Sequence, residues 1–407
     1  MKQIYLIAFV LLWGVSCDDE GNGDGGLVLP PGGVEELAPK GVSKTNDMPV
    51  YMHYMPWFEA PGPYADTWGI HWKMSQSNPE IIDNQGQRQI ASHYYPMIGP
   101  YDSRDPDVIN YHLLLMKYAG VDGVLINWYG EKGTNGDIGS LLESSNAIVD
   151  RMEQTGMEFG VVLEDRFAGS KEDTKANMAY LNTNYYGHKQ YIHIDNRPLT
   201  LLFGPITFNT PTTWEEILNA SSADELFLPL WHTIGKVGKD NAAGEYAWVY
   251  ADGVSGLSSF YNDTKDIGMR VGGAYPGFKD YYEEGGWDPI GWELEVSTQT
   301  LQSTLDLADN HSSELDFLQL ITWNDFGEGT MIEPTVEFGF KFLVEIQNYT
   351  GVSYDEAELQ LVYDWYLLTQ NDQYANDKEA QDDIKQAFYY LVALEVDKAT
   401  EIISNYK

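Results

Sequence analysis

The sequence predicts an α/β fold: a (β/α)8 barrel of the TIM type with a helical extension at its C-terminal end. Three observations predict it. From Pro49 onward, short apolar runs alternate with stretches of helical period, the pattern of βα units around a parallel sheet. The apolar runs number eight, which suits a closed barrel. The chain has 407 residues and is 43% hydrophobic, enough for one large core with an appendage.

Taken in order, the predicted strands are 50–55, 123–128, 158–163, 198–203, 226–231, 253–261, 269–275 and 317–323. The helix after the first strand is legible in detail. Asp105 is a good N-cap, Pro106 suits the first turn, Ile109, Leu113 and Met116 share one face, and Gly120 ends the helix before Val121 leads into the next strand. The same order recurs in 137–156 followed by 157–163. The barrel is therefore placed at 49–350. Beyond Thr350 only helical patterns remain, at 356–370 and 378–406, giving a helical extension over 351–407.

The N-terminus reads differently. Lys2, an apolar run over 4–13, and the small residues Gly14 and Ser16 before Cys17 form a short signal peptide over 1–17, too short for a membrane span. Cys17 is the only cysteine, and its position resembles the lipidated cysteine of Gram-negative lipoproteins. Residues 18–48 open with an acidic, glycine-rich tract that cannot bury itself, so they are expected to be a flexible tether; the tract also resembles the surface-export signal of some outer-membrane lipoproteins. The expectation is an exported protein at the outer membrane and cell surface, touching the membrane only through its N-terminal lipid.

Acidic residues outnumber basic ones by 62 to 24, for a net charge of −38, which argues against nucleic acid or an anionic membrane as a charge-driven partner. The 28 Tyr and 12 Trp instead supply flat rings with polar edges, suited to sugar faces. No pair of histidines stands at helical ligand spacing and the cysteine is committed to the leader, so no metal is expected.

In a parallel barrel, the C-terminal strand ends and the loops after them form the active face. Tyr54 and Trp57, Trp128 and Tyr129, Glu164 to Arg166, His232, Tyr261, and the pair Asp325 and Glu328 fall there. Glycoside hydrolysis uses two carboxyl groups. Asp325 and Glu328 are three apart on a turn leaving the last strand, with Gly327 and Gly329 allowing unusual backbone angles, Trp323 as a ring platform and Asn324 as a hydrogen-bonding amide. Glu164 follows an apolar strand, and either binds a sugar hydroxyl and tunes the pair or forms an ion pair with Arg166. His232 reads as a packed histidine, not a catalytic one.

Four stretches carry a resemblance to a known family: His53-Tyr54-Met55-Pro56-Trp57 with Trp68-Gly69-Ile70-His71-Trp72; Ser92-His93-Tyr94-Tyr95-Pro96 through Tyr101-Asp102-Ser103-Arg104-Asp105-Pro106; Leu125-Ile126-Asn127-Trp128-Tyr129; and Trp323 through Glu333. Their order and spacing resemble glycoside hydrolase family 99, the endo-α-mannosidases and endo-α-mannanases, from about Pro49 to Thr350. The resemblance implies a (β/α)8 barrel, no bound redox cofactor, and cleavage inside an α-mannoside oligo- or polysaccharide with retention of configuration. It implies Asp325 as the base on the substrate 2-hydroxyl and Glu328 as the acid and then base. Glu164 is implied as a further active-site carboxylate, with Tyr54, His71, Trp72, Trp128 and Tyr261 as sugar-contacting positions. The family usually has Glu where this chain has Asp325, and a retreat of about 1 Å can cost on the order of a hundredfold in rate. Two alternatives stay open: a non-catalytic or weakly active glycan-binding lipoprotein on the same fold, or a hydrolase of another α-glycan, since the Trp323-Asn324-Asp325 stretch with Gly327-Glu328 is also similar to the family 71 α-1,3-glucanases.

Overall fold

A computed structural model describes residues 33–263 and 266–407. The leader with Cys17 and the acidic part of the tether lie outside the described residues.

Eight parallel strands form the barrel: β1 Val50–Tyr54, β2 Gly123–Trp128, β3 Glu158–Leu163, β4 Arg197–Leu202, β5 Leu226–Pro229, β6 Gly244–Tyr246, β7 Met269–Ala274 and β8 Phe317–Leu320. β1 pairs with both β2 and β8, so the first and last strands meet. The remaining gap closes between β5 and β6, where Leu230 bridges Tyr246 in parallel and the Trp231 amide donates to the Tyr246 carbonyl at 3.0 Å. A two-residue strand, His193–Ile194, adds antiparallel to the outside of β4.

The strands are buried on both faces, as parallel strands covered by helices must be. Period-two alternation decides which side chain goes where. On β1, Tyr51 and His53 face the barrel interior, against Phe317 and Trp248, while Tyr54 points outward to His112 on the helix Pro106–Tyr118. β2 and β3 approach closely at Gly123, where a Cβ would sit 2.2 Å from the Glu158 carbonyl oxygen; only glycine fits. Asp105 caps the helix Pro106–Tyr118 as the sequence predicts, accepting from the Asp107 amide.

Two expectations are corrected. The run 253–261 is not a strand but lies in the helix Val254–Asp263, because Leu257, Phe260 and Tyr261 recur at helical spacing and share its buried face. The sixth strand is Gly244–Tyr246, a short segment whose Glu245 masks the apolar signal; that carboxylate is buried and accepts from the His232 and Ile234 amides. Nor does residue 48 end a free tether. The Glu35 backbone pairs with the buried Gln386 amide, the Lys40 amide donates to Val392, the Lys117 ammonium reaches the carbonyls of Lys40 and Thr155, and Lys44 pairs with Asp122 at 2.5 Å. This strap crosses the end of the barrel where strands begin.

The C-terminal helices Lys341–Thr350, Glu356–Thr369, Lys378–Val392 and Val396–Ser404 share one core with the barrel. Tyr366 packs on Tyr111 of the first barrel helix with ring centroids 4.9 Å apart, and the Tyr118 hydroxyl donates to the Leu391 carbonyl at 3.0 Å. Among the described residues, no helix is long and apolar enough to cross a membrane.

Candidate active site

The C-terminal ends of the strands open into a cavity of about 920 Å³. Met55, Asn127, Tyr129, Glu164, Phe203, Trp248, Phe278, Asp325 and Glu328 reach it from successive strand ends, which is how a barrel assembles a site from distant sequence.

The turn after β8 carries two of its carboxyls. The Asp325 amide donates to Thr322 Oγ1 at 2.8 Å, and Asp325 Oδ1 accepts from the Glu328 amide at 3.0 Å, an Asx-type closure that fixes both residues on one turn. Gly329 follows with φ +66°, and a Cβ there would lie 2.6 Å from the Lys279 carbonyl oxygen. Across the loop after β7, the Tyr282 hydroxyl donates to Glu328 Oε1 at 2.8 Å.

Glu164 is the third carboxyl. Its Oε1 accepts from Asn127 Nδ2 at 2.8 Å, and Asn127 Oδ1 lies 3.3 Å from His53 Nε2. Burial pushes His53 down to about 4, so its imidazole is neutral. Arg166 is exposed and stacks over Phe167, at 5.1 Å; among the described residues neither Glu164, Asp325 nor Glu328 makes an ion pair within 4 Å. Of the two readings of Glu164, the arrangement therefore favours the cleft carboxyl.

Electrostatics follow from that enclosure. Burial, then the charge of Glu328, holds the Asp325 carboxyl well above the usual carboxylate range. Burial also raises Glu328, opposed by the Tyr282 hydrogen bond, and it raises Glu164 to about 7 against the pull of Asn127 and Arg166. Three carboxyls in one low-dielectric cleft disfavour one another's charge, and each holds its proton more tightly than a free carboxyl would.

The rest of the wall is aromatic. Trp57 and His71 stack at 4.2 Å with rings nearly parallel, and His71 Nε2 lies 3.5 Å from Asp137 Oδ2. Also in the lining, Phe278 and Trp292 stack at 4.2 Å and Trp287 leans on Tyr282. Rings and short polar groups in one cleft suit a sugar chain.

The cleft thus gathers Trp57, His71, Tyr129, Glu164, Arg166, Asp325 and Glu328 from the residues singled out by sequence. It leaves out Tyr54, Trp72, Trp128, Tyr261, Trp323 and Asn324, all buried elsewhere. Alternation turns Tyr54 and Trp128 to the helix layer, against His112 and Tyr180. Trp323 packs on the same His112, at 5.2 Å. Trp72 stacks under Phe58 and donates to the Tyr101 carbonyl. Tyr261, which lies on a helix, bonds the Gly273 backbone. Asn324 grips Met55, accepting from its amide at 2.8 Å and donating to its carbonyl at 3.0 Å. His232 lies outside the cavity, with Nε2 3.0 Å from the Tyr250 hydroxyl.

Sequence reasoning does not assign Tyr282, Trp248, Trp287 and Trp292 to the site. Trp248 follows the short sixth strand, which the apolar pattern does not mark. The other three lie in the long, glycine- and tryptophan-rich segment 275–297, and a long loop after a barrel strand is itself a signal of function. Among the described residues, no group of three or more His, Cys, Asp or Glu is arranged to hold a metal ion.

Comparison with known proteins agrees with this geometry. The family model of glycosyl hydrolase family 99 matches residues 45–232, ending before the turn that carries Asp325 and Glu328. The glycoprotein endo-alpha-1,2-mannosidase of Mus musculus is 25% identical over 358 residues, covering 77% of this chain and 73% of that protein. The glycoprotein endo-alpha-1,2-mannosidase-like protein of Danio rerio is 24% identical over 323 residues, 70% of this chain and 71% of the other. The solved family 99 endo-alpha-mannosidase of Bacteroides thetaiotaomicron superposes with a TM-score of 0.59 at 19% identity, over 77% of this chain and 98% of that one, and so shares the barrel. Family model, relatives and architecture converge on the barrel of glycosyl hydrolase family 99, and the chain is a glycosidase.

Proposed function

We propose that this glycosidase cuts inside α-mannoside chains with retention of configuration, Asp325 acting as base and Glu328 as acid and then base. The observation that carries the reading is the single buried turn that brings both carboxyls into one cleft without ion-pair partners among the described residues. The α-mannosidase names of the relatives support the choice of sugar.

In the first step, Asp325 takes the proton of the substrate 2-hydroxyl, O2 attacks the anomeric carbon, and the bond to the leaving oxygen breaks as Glu328 protonates that oxygen. In the second, Glu328 takes a proton from water, the resulting hydroxide adds to the anomeric carbon, the 1,2-anhydro ring opens, and Asp325 returns its proton to O2. Both carboxyls end as they began. Bound sugar sets the starting state: a 2-hydroxyl donating to Asp325 favours its charged form, and a glycosidic oxygen accepting from Glu328 favours its neutral one.

Oligosaccharide release from α-mannans and mannose-rich glycans is the test. The native chain is expected to produce internal fragments, and the Asp325→Ala, Glu328→Ala double variant none; equal turnover by the two sinks the reading. For the leader, we infer export and lipidation at Cys17, supported by its place in the sequence. Cys17→Ser is expected to move the protein from the membrane pellet to the soluble fraction.

A further inference from the structure

Behind the catalytic turn lies a group of polar residues for which the two hydrolytic steps have no use. Glu333 is buried three residues past Thr330, and its Oε2 accepts from the Tyr101 hydroxyl at 2.7 Å. Its other oxygen lies 3.3 Å from His112 Nε2, and His112 Nδ1 lies 2.7 Å from the Tyr54 hydroxyl. Tyr101 has given its only proton to Glu333, so towards Asn324 it can only accept; Asn324 Nδ2 donates to it at 3.0 Å. That contact fixes which end of the Asn324 amide is nitrogen. With Nδ2 held by Tyr101 and by the Met55 carbonyl, Oδ1 is left for the Met55 amide. From Glu333 through Tyr101 to Asn324 each bond runs one way, whereas the roles at His112 depend on its tautomer.

We propose that Glu333, Tyr101 and Asn324 are positioning residues: a one-way hydrogen-bond relay that clamps the end of β1 to the turn after β8 and so sets where Asp325 stands. The relay meets the cleft through Asp325, the residue after Asn324, and through Met55, which Asn324 holds. The relay and the strand end that it holds draw on three of the stretches that resemble the family, around Met55, Tyr101 and 323–333, which gives those stretches a shared physical task. The inference rests on the hydrolase reading for its kinetic consequence and on geometry alone for its structural one.

Tyr101→Phe removes a single oxygen and leaves the cleft walls untouched. It is expected to lower kcat on the order of a hundredfold, the effect of a displacement of about 1 Å, while KM stays near the native value. Glu333→Met is expected to match it, because it offers Tyr101 nothing to donate to. Glu333→Gln, whose side-chain oxygen still accepts from Tyr101, is expected to restore most of the rate. A double Tyr101→Phe, Glu333→Met variant is expected to be no slower than either alone, since one relay is broken twice. Native kcat in Tyr101→Phe overturns the proposal. So does Glu333→Gln falling as low as Glu333→Met, which would make the charge and not the direction the operative feature. A crystal structure of Tyr101→Phe decides the same point without turnover, even should the chain cleave no α-mannoside: a turned Asn324 amide or a shifted Asp325 supports the relay, and both unmoved refutes it.

Discussion

The turn after β8 separates two sets of acids that the fold treats in opposite ways. Behind it, Glu333 faces His112 and a tyrosine donor, and nearby Asp102 is gripped by Arg104 through two bonds of 2.8 Å. In front of it, Glu164, Asp325 and Glu328 share a cleft and receive only neutral donors, from Asn127, the Glu328 backbone and Tyr282. The paired acids are held in place by their partners. The unpaired ones carry a desolvation cost, and what that cost provides is carboxyls that hold a proton more tightly than exposed ones do. Despite so large an acidic excess, Arg104 is committed to Asp102 behind the turn, while Arg166 at the cleft acts on Glu164 without forming an ion pair within 4 Å.

The sharpest way to break the contrast is to neutralise a front acid. Glu328→Gln keeps the shape of the turn but cannot donate an acid proton, and kcat is expected to fall by roughly 10² to 10⁴ for substrates with poor leaving groups. A donor such as an α-mannobiosyl fluoride, whose leaving group needs no proton, is expected to lose much less in the first step.

A smaller effect is expected on stability. Glu164 is raised in the fold from 4.5 to about 7, so the folded state favours its protonated form. That contribution is present in full below the unfolded value, and is lost as pH rises from there through about 7. Glu164→Gln is therefore expected to stabilise the protein at pH 8 by roughly 3 kcal/mol, because each pH unit separating folded from unfolded titration is worth about 1.36 kcal/mol, with little gain at pH 4. Denaturant titrations at the two values check it; a gain at low pH instead would show that the group is held in its charged form.

The smallest effect sharpens the role of Tyr282. Its hydroxyl stabilises the charged form of Glu328, so Tyr282→Phe is expected to raise that group and move the alkaline limb of kcat/KM upward. A limb that stays put would remove Tyr282 from the acid's surroundings.

Much of this is legible in the residues. Seven of the eight strands lie at nearly their predicted places, because buried parallel strands are continuous apolar runs. Gly244–Tyr246 escapes because three residues with a charged centre make no such run. The carboxyl trio is also legible, since acids just past apolar strands have few other reasons to be there. The aromatic platforms are not: Tyr54, Trp128 and Trp323 stand at strand ends as Tyr129 and Asp325 do, yet point the other way.

By itself, then, the sequence determined the barrel, its helical tail and which acids meet at its mouth, because hydrophobic period and strand-end position are properties of the chain. Tertiary structure alone decided which neighbour of each pair enters the cleft. A one-residue step along a strand turns a side chain from sugar to core, and only the closed barrel fixes that phase. It also decided that Asn324, a plausible sugar ligand by position, holds strand to strand instead, since its partners Met55 and Tyr101 lie far from it in sequence and become neighbours only in the folded molecule.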